Sequence, residues 1–333
     1  MGMGIPGAGG GQAEPQGPGK PEFVAVDDSI VFVLKPNELE RKKRKFKSDG
    51  QGKLQVLTSF DGGLTGFTTK DGKSSSLRTT ELLEHNQHVM LPEAAKKIRY
   101  LRSTFKRQME TEGKAMAPAD RAKAVEQHLR AVFTTAAQEG GMHMSSFGPA
   151  LESQMDMIPL REGVNDLLGA LAYRGIPINV VCTGYGNVAI EVLRRGAPSI
   201  AGPNGALSPH LHMIANFFQS DETMSIVDLY DKVPLVHEGN KNGNMILDFH
   251  RAVRWDTMAL AARSNAVVVG AELADLNLTA GLTLDDRITV GFLKMEEDFL
   301  DKFPRYAQAF DVVVVGNGDL SYVNELLYEV TDP

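Results

Sequence analysis

The chain has 333 residues, of which 42% are hydrophobic and 23% are charged, the composition of a soluble protein with one large core or two smaller ones. The formal net charge of -7 argues against a general attraction to nucleic acid or anionic membranes, and the single Cys182 excludes an internal disulfide framework. No apolar run approaches the roughly 18 to 20 residues that span a bilayer, so we expect no membrane span and a reducing compartment, either the cytoplasm or, within an organellar complex, the mitochondrion.

The N-terminal part of the chain changes composition twice before residue 54. Residues 1–22 are dominated by Gly and Pro, which predicts a flexible tail. The segment 23–53 begins with the β-rich run FVAVDDSIVFVLKP and continues with the basic run NELERKKRKFK (37–47), for which we predict a short helix. This run could bind RNA, an acidic protein or an import receptor, and a solvated helix face is the alternative.

Four short apolar runs rich in β-branched residues indicate an α/β protein. Near-continuous apolar strands of this kind suit a parallel sheet that is buried on both faces. A helix with one apolar stripe, REGVNDLLGALAYRG, is predicted between the first two of them and ends at Gly175. The four predicted strands are LQVLTSF (54–60), PINVVCT (177–183), NAVVVGA (265–271) and FDVVVVG (310–316).

The segment 81–157 lacks strand signals and has helical patterns, which predicts a helical cap domain inserted into the sheet domain. The fold class that we predict is therefore α/β, with a doubly wound parallel sheet formed by residues 54–80 and 158–333.

Ligands of α/β sheets bind beyond the carboxyl ends of the strands, and here these ends read SFDGG, CTGYGN and GAELAD, with a lysine in HEGNKNG. The order and spacing resemble the haloacid dehalogenase (HAD) superfamily. The chain resembles more closely the cytosolic pyrimidine 5'-nucleotidase family, of the cytosolic 5'-nucleotidase III type. This resemblance runs from about residue 31 to the C-terminus and includes LREGVNDLLGAL, IANFFQSDET, GAELADLNLTAG and GFLKMEEDFLDKFPRYAQAFDVVVV.

The resemblance implies a first motif of the form DFDxT, in which the first aspartate attacks phosphorus and the second acts as general acid and base. This chain has Ser59 at the first position, Asp61 at the second and Gly63 where the threonine would be. A serine cannot replace the carboxylate nucleophile without a nearby base, and Asp61 is the obvious candidate for that base.

The family resemblance also implies a GDxxxD motif that helps to hold Mg²⁺, a cation that prefers hard oxygen ligands. Ala271 occupies the first acidic position and Asp275 the second. Because Ser59 and Ala271 replace both expected carboxylates, we predict that the chain holds no metal. Glu272 is the nearest substitute ligand, but alternation along a strand predicts that its side chain points away.

A phosphate-binding turn is implied at CTGYGN, where Cys182 aligns with the usual Ser and is followed by Thr183 and Gly184. Lys241 of HEGNKNG matches the lysine that steadies the nucleophile and the phosphate. In the predicted cap, Glu126 matches loosely the glutamate that recognises the base, and a solvated surface residue is the alternative reading.

These residues predict a pseudoenzyme: a 5'-nucleotidase-like protein without catalytic residues, with vestigial positions at Ser59, Asp61, Lys241 and Asp275. Its expected role is that of a structural or accessory subunit of a larger complex, with other protein subunits bound through residues 1–47. One alternative is a nucleotide or phosphate sensor that uses the remaining pocket. A further alternative is an active nucleoside-5'-monophosphate phosphatase with altered chemistry.

Overall fold

The computed structural model describes residues 22–26, 29–113, 115–202 and 206–332. The predicted flexible tail lies outside the described residues except for Glu22, which begins the first strand. Within the described residues, no helix is both long enough and apolar enough to cross a membrane.

One sheet of eight strands organises the protein, in the order β1-β2-β10-β9-β8-β3-β4-β5. The six strands from β10 to β5 are parallel, whereas β1 and β2 are antiparallel to their neighbours. Its strands are β1 (Glu22–Val26), β2 (Ser29–Val33), β3 (Leu54–Ser59), β4 (Ile178–Tyr185), β5 (Leu211–Asn216), β8 (Asn265–Gly270), β9 (Asp286–Leu293) and β10 (Val312–Val315). A separate hairpin consists of β6 (Phe218–Ser220) and β7 (Ile226–Leu229).

Helices cover both faces of this sheet. The α-helices of the described residues are α1 (Pro36–Asp49), α2 (Thr79–Glu84), α3 (Pro92–Thr111), α4 (Pro118–Glu139), α5 (Met144–Glu152), α6 (Val164–Arg174), α7 (Gly186–Gly196), α8 (Gly243–Ala252), α9 (Thr257–Ala261), α10 (Phe299–Ala309) and α11 (Ser321–Thr331). The predicted helix before Gly175 is confirmed as α6. Gly175 follows its last residue and has a left-handed conformation, which an L side chain rarely adopts.

The central strand β3 explains why the apolar runs are continuous. All six of its residues are buried, with Val56 packed in the cluster that contains α6 and α11 and Leu57 packed in the cluster that contains α8. Each face of the strand therefore contributes to a different core. This is the arrangement expected for a doubly wound parallel sheet, and the predicted fold class is confirmed.

The described residues of the segment 23–53 pair and pack with the sheet. Strand β2 pairs with β10, and α1 packs against α11. Lys42 of α1 is buried, with Nζ 2.6 Å from Oδ1 of Asp311. Arg41 and Lys43 pair with Asp286 and Glu329, at 3.0 and 2.7 Å.

The prediction of a solvated helix face is therefore wrong for Lys42. Three cations of the basic run form ion pairs with acidic residues elsewhere in the fold. Periodicity could not reveal this, because the acidic partners lie more than 200 residues further along the chain.

Between β3 and α6, the described residues form helices α2 to α5 and no named strand. Helices α3 and α4 pack against each other, and α4 also contacts β7 of the hairpin. These helices occupy the position in the chain where a cap was predicted. The domain boundaries at residues 81 and 157 remain predictions.

Candidate functional site

The motifs that end three neighbouring strands meet at one edge of the sheet. Ser59 is the last residue of β3 and lies opposite Val181 of β4, while β8 pairs with the other side of β3 and ends at Gly270. Since these strands are parallel, the residues that follow them gather at the same place. The structure thus brings the predicted positions 59, 61, 271 and 275 together.

A tight turn after β3 places the first motif against the second. Gly62 has a φ of 73°, and a Cβ atom built on it would lie 2.6 Å from the Cβ of Ala271. A glycine is needed at this position both for the backbone conformation and for the close approach. The methyl group of Ala271 therefore lies directly against the turn that carries Asp61.

Asp275 is the centre of a buried polar network. Its Oδ2 atom accepts hydrogen bonds from Oγ of Ser59 at 3.1 Å and from the backbone N–H groups of Ala271 and Glu272 at 2.8 and 3.0 Å. Its Oδ1 atom lies 2.6 Å from Nζ of Lys241. Both carboxylate oxygens are thus engaged by groups of the protein itself.

Asp61 has a different environment from Asp275. Its side chain is partly buried and lines two cavities. Burial raises the pKa of Asp61 to about 6, and the nearby charges of Arg78 and Lys241 oppose this increase. The carboxyl group of Asp61 therefore holds its proton to a higher pH than an ordinary aspartate does.

The residues at the strand ends do not fit a magnesium site of the kind that the resemblance implies. Ser59 donates its hydroxyl to Asp275, Ala271 presents only a methyl group, and Asp275 is already paired with Lys241. Mg²⁺ binds through hard oxygen ligands in a near-octahedral array. In the described part of the chain, no group of three or more His, Cys, Asp or Glu side chains is placed to hold a metal ion.

The four residues predicted to bind phosphate do not share one environment. Cys182 is buried in the core, and burial raises the pKa of its thiol further above its ordinary value. Thr183 and Gly184 line a cavity, but Lys241 is directed to Asp275. The predicted phosphate-binding group is therefore split, with only Thr183 and Gly184 facing open space.

Glu238 is a further residue of this region that the sequence analysis missed. It accepts a hydrogen bond from Oγ1 of Thr183 at 3.1 Å and lies 3.8 Å from Nζ of Lys241. A carboxylate beside the turn repels an anion, which weakens the case for phosphate there. Its position in the sequence, three residues before Lys241 in HEGNKNG, could have indicated that it lies near this site.

The predicted direction of Glu272 is wrong. Its side chain lines the same cavity as Asp61 and Ala271 and lies 3.9 Å from the guanidinium of Arg78. Strand alternation does not apply, because β8 ends at Gly270 and a 3-10 helix, Leu273–Thr279, begins directly afterwards. Glu272 pairs with Arg78 in this structure.

Two cavities open at this edge and share Asp61 and Arg78. The first, named here the cap cavity, has a volume of about 340 Å³ and includes Arg102, Phe133 and His237 in its lining. Arg102 makes two hydrogen bonds of 2.7 Å to the buried Glu84, which fixes one wall.

Glu126 was matched loosely to the family glutamate that recognises the base. It is not among the residues that line the cap cavity. It is exposed and pairs with Arg130 at 3.3 Å. The arrangement agrees with the alternative reading of this residue as part of a solvated helix surface.

The second cavity, named here the α10 cavity, has a volume of about 610 Å³. It lies on the other side of the segment 65–78, between this segment and residues 293–306. Lys294 joins its two walls by donating a hydrogen bond to Oγ of Ser75 at 3.2 Å.

Arg161 holds the turn after β3 in place and was not identified from the sequence. Its guanidinium is buried, donates to the carbonyl oxygen of Gly62 at 2.8 and 3.0 Å and also donates to that of Gly318. It lies over the ring of Phe292, 3.8 Å from its centroid. The residue joins the Asp61 turn to the loop after β10, and nothing in its neighbouring sequence marks it.

Comparison with known proteins identifies the family. The family profile described as pyrimidine 5'-nucleotidase (UMPH-1) matches residues 65–331, four-fifths of the chain. The chain belongs to the UMPH-1 family. The matched range begins after Ser59 and Asp61, so the family assignment does not depend on them.

Individual UMPH-1 relatives match over most of their length. The chain is 24% identical to the 7-methylguanosine phosphate-specific 5'-nucleotidase of Gallus gallus, with 91% of this chain and 96% of the relative covered. Identity to 7-methylguanosine phosphate-specific 5'-nucleotidase A of Xenopus laevis is 25%, with 90% and 96% covered.

The fold is also shared with a solved structure. The crystal structure of cytosolic 5'-nucleotidase IIIB bound to cytidine superposes with a TM-score of 0.70 at 19% identity and covers 90% of this chain and 92% of its own. This likeness shows that the two proteins share their α/β fold.

Proposed function

We propose that this UMPH-1 family member is catalytically inactive and serves as a structural or accessory subunit of a larger complex. The observation that supports inactivity is the closed network around Asp275. Ser59, Lys241 and two backbone N–H groups occupy its carboxylate, and Ala271 supplies no second acid. These residues supply neither the carboxylate nucleophile nor the second acid that a cation would need, which supports the proposal.

Ser59 is a poor replacement for a carboxylate nucleophile. Its side chain is 1% exposed, and its hydroxyl hydrogen bonds to a carboxylate that an ammonium group neutralises. An activating base must be able to accept a proton, and a carboxylate already engaged by Lys241 and two amides has little capacity to do so. Loss of a nucleophile alone can lower kcat by roughly a millionfold.

Phosphate release is the direct test of inactivity. The purified protein would be assayed with CMP, UMP and 7-methylguanosine monophosphate, with magnesium or with a chelator. We expect no release above the rate of the Asp61→Asn variant. Magnesium-dependent release that disappears in that variant would show an active phosphatase.

The proposed subunit role is supported by the retained fold and by the presence of Ser59 at the nucleophile position. Native electrophoresis of the endogenous protein, with identification of the proteins that migrate with it, tests this role. We expect migration at a mass well above that of one 36.2 kDa chain, together with other subunits. Migration as a monomer or as a small homo-oligomer would contradict it.

A second candidate function is a nucleotide sensor, and the cap cavity favours it. Arg78 and His237 supply hydrogen-bond donors there, and Phe133 supplies an aromatic surface. The names of the relatives suggest 7-methylguanosine monophosphate and pyrimidine mononucleotides as probes. Calorimetry would show binding that His237→Ala removes, and the absence of binding at millimolar nucleotide would exclude the sensor.

A further inference from the structure

We propose that a cavity at the outer edge of the sheet binds a small, neutral aromatic molecule that carries a hydroxyl group. This cavity, named here the β5 cavity, has a volume of about 540 Å³, within the range of small-molecule sites. It lies along β5, the end strand of the sheet, and shares no lining residue with the cap cavity or the α10 cavity. The proposal is therefore independent of the inactivity and of the subunit role proposed above.

Aromatic rings form a large part of the β5 cavity. Phe217, Tyr230, Phe249 and Trp255 belong to its lining, together with aliphatic side chains of α7 and β5. The ring of Phe249 lies 6.5 Å from that of Phe217 and 5.9 Å from that of Trp255, measured between centroids. Aromatic rings pack on one another in offset or edge-to-face arrangements, so these walls suit a ligand that is itself a ring.

The lining also selects against charge. Among the described residues, no Asp, Glu, Lys or Arg side chain lines the β5 cavity. Its imidazole, that of His212, is neutral at neutral pH because burial lowers its pKa to about 4. A phosphate or carboxylate group would lose its hydration here without gaining a counter-charge. The β5 cavity therefore favours a neutral ligand, in contrast to the cap cavity, which Arg78 lines.

His212 brings an unsatisfied polar atom to the lining. Its Nδ1 atom is buried and has no hydrogen-bond partner among the described residues. Buried polar groups are normally hydrogen-bonded, because an unsatisfied donor or acceptor costs free energy. A hydroxyl group can both donate and accept, so a ligand hydroxyl suits this nitrogen in either tautomer of the neutral ring.

The buried neighbours of His212 do not supply this partner. Asn179 lies opposite His212 in the register of β4 and β5, and the ring of His250 lies 4.8 Å away. These two residues bind each other, with Nε2 of His250 2.7 Å from Oδ1 of Asn179. Nδ1 of His250 and Nδ2 of Asn179 themselves lack partners in the described part of the chain. The β5 cavity is the open space beside His212, so a ligand there is the available source of a hydrogen bond.

A strained backbone fixes the position of Trp255. Arg254, the residue before it, has a φ of 59°, a left-handed conformation that residues with side chains rarely adopt. This conformation turns the chain back after α8, so that the N–H of Trp255 donates to the carbonyl oxygen of His250 at 2.9 Å. The indole ring then stacks on His212 at a centroid distance of 4.6 Å. Strain of this kind is concentrated at binding and active sites, which supports a ligand site here.

Benzyl alcohol, toluene and benzoate are probes that separate these features, because they share a ring and differ in the hydroxyl group and the charge. All three absorb at shorter wavelengths than tryptophan, so the fluorescence of Trp255, the single tryptophan, can follow binding to the full chain. Calorimetry would measure the affinities. We expect saturable binding of benzyl alcohol and toluene at millimolar concentration and no binding of benzoate.

His212→Phe tests the role of the imidazole. It should lower the affinity for benzyl alcohol relative to that for toluene by about 10-fold, because only the alcohol loses a hydrogen bond. His88→Phe is the matched control, because His88 is exposed and outside the β5 cavity, and it should leave this ratio unchanged. An unchanged ratio in His212→Phe would overturn the assignment of the hydroxyl group.

Val253→Phe tests the location of the ligand without replacing His212. Val253 is a half-buried residue of the lining, and a ring at this position should fill part of the space and weaken the binding of both neutral probes. Circular dichroism would establish that each variant is folded. Three results would overturn the proposal: no saturable binding of either neutral probe, binding of benzoate as tight as that of benzyl alcohol, or affinities that Val253→Phe does not change.

Discussion

The hydroxyl of Ser59 donates a hydrogen bond to Oδ2 of Asp275 over 3.1 Å, in the core of the protein. The two residues lie 216 positions apart and belong to a network that also includes Lys241 and the backbone N–H groups of Ala271 and Glu272. In this arrangement the residues stabilise the fold. These buried polar groups form internal contacts between β3 and the segment after β8.

Replacing Lys241 should be strongly destabilising. Lys241→Met leaves the carboxylate of Asp275 buried without its ammonium partner, and loss of one member of a buried ion pair costs about 3–5 kcal/mol. Urea denaturation measures this cost. The matched variant Lys241→Met/Asp275→Asn removes both charges and should recover most of the stability. Equal stability of Lys241→Met and the native protein would refute the role of this pair.

Restoring both acids should restore cation binding. Ser59→Asp alone adds a second carboxylate beside Asp275 and should lower the free energy of unfolding by about 2–5 kcal/mol in the presence of a chelator. With Ala271→Asp added, millimolar Mg²⁺ should raise the Tm by several degrees, because a ligand of the folded state stabilises it. Thermal unfolding with and without Mg²⁺ provides the measurement, and an equal rise for the native protein would contradict our account of the site.

Asp61 should make the protein less stable as the pH rises. Its pKa is raised to about 6 in the folded state and is near 3.9 in an unfolded chain, so the folded state holds the proton more tightly. The native protein therefore loses stability between about pH 4 and pH 6. Asp61→Asn should be more stable than the native protein by up to about 3 kcal/mol at pH 7, and this advantage should vanish near pH 4. Denaturation across this pH range would show whether the advantage fades.

Two histidines should cause the opposite dependence at acid pH. Burial lowers the pKa of His212 and of His250 to about 4 each, below the unfolded value of about 6.5. The stability that the two neutral histidines contribute is fully present above pH 6.5 and is lost as the pH falls toward 4. Replacing His212 by Phe should reduce the slope of the free energy of unfolding against pH in this range by an amount that corresponds to about one bound proton.

Trp255, the only tryptophan of the chain, reports on this acid transition. Its ring stacks on His212 at a centroid distance of 4.6 Å and lies 4.9 Å from His250. Its fluorescence can therefore follow unfolding at each pH. An unchanged slope in the His212→Phe variant would assign the acid sensitivity to other groups.

The sequence predicted the parts of the fold that depend on local patterns. Continuous apolar runs identified β3, β4, β8 and β10, and the left-handed Gly175 was correctly placed after α6. Strand β9 was missed because its sequence DRITVGFL begins with two charged residues and contains a glycine. Strand β5 was missed because LHMIAN lacks the β-branched enrichment of the others.

The site was harder to predict than the strands. Motif order identified positions 59, 61, 241, 271 and 275, and the structure brings all of them to one edge of the sheet. The contacts of Arg161 and Glu238 could not be predicted, because each depends on segments that are distant in sequence. Alternation failed for Glu272 because the strand ended two residues earlier.

The pairing of β2 with β10 has a consequence for synthesis. Lys42 and Asp311 form an ion pair next to this pairing and are 269 positions apart. Strand β2 therefore leaves the ribosome long before β10. Contacts of such separation form late, because a long loop must close first. Until then the unpaired edges of these strands are open to other chains. The N-terminal segment can therefore dock on β10 only after translation has passed residue 315.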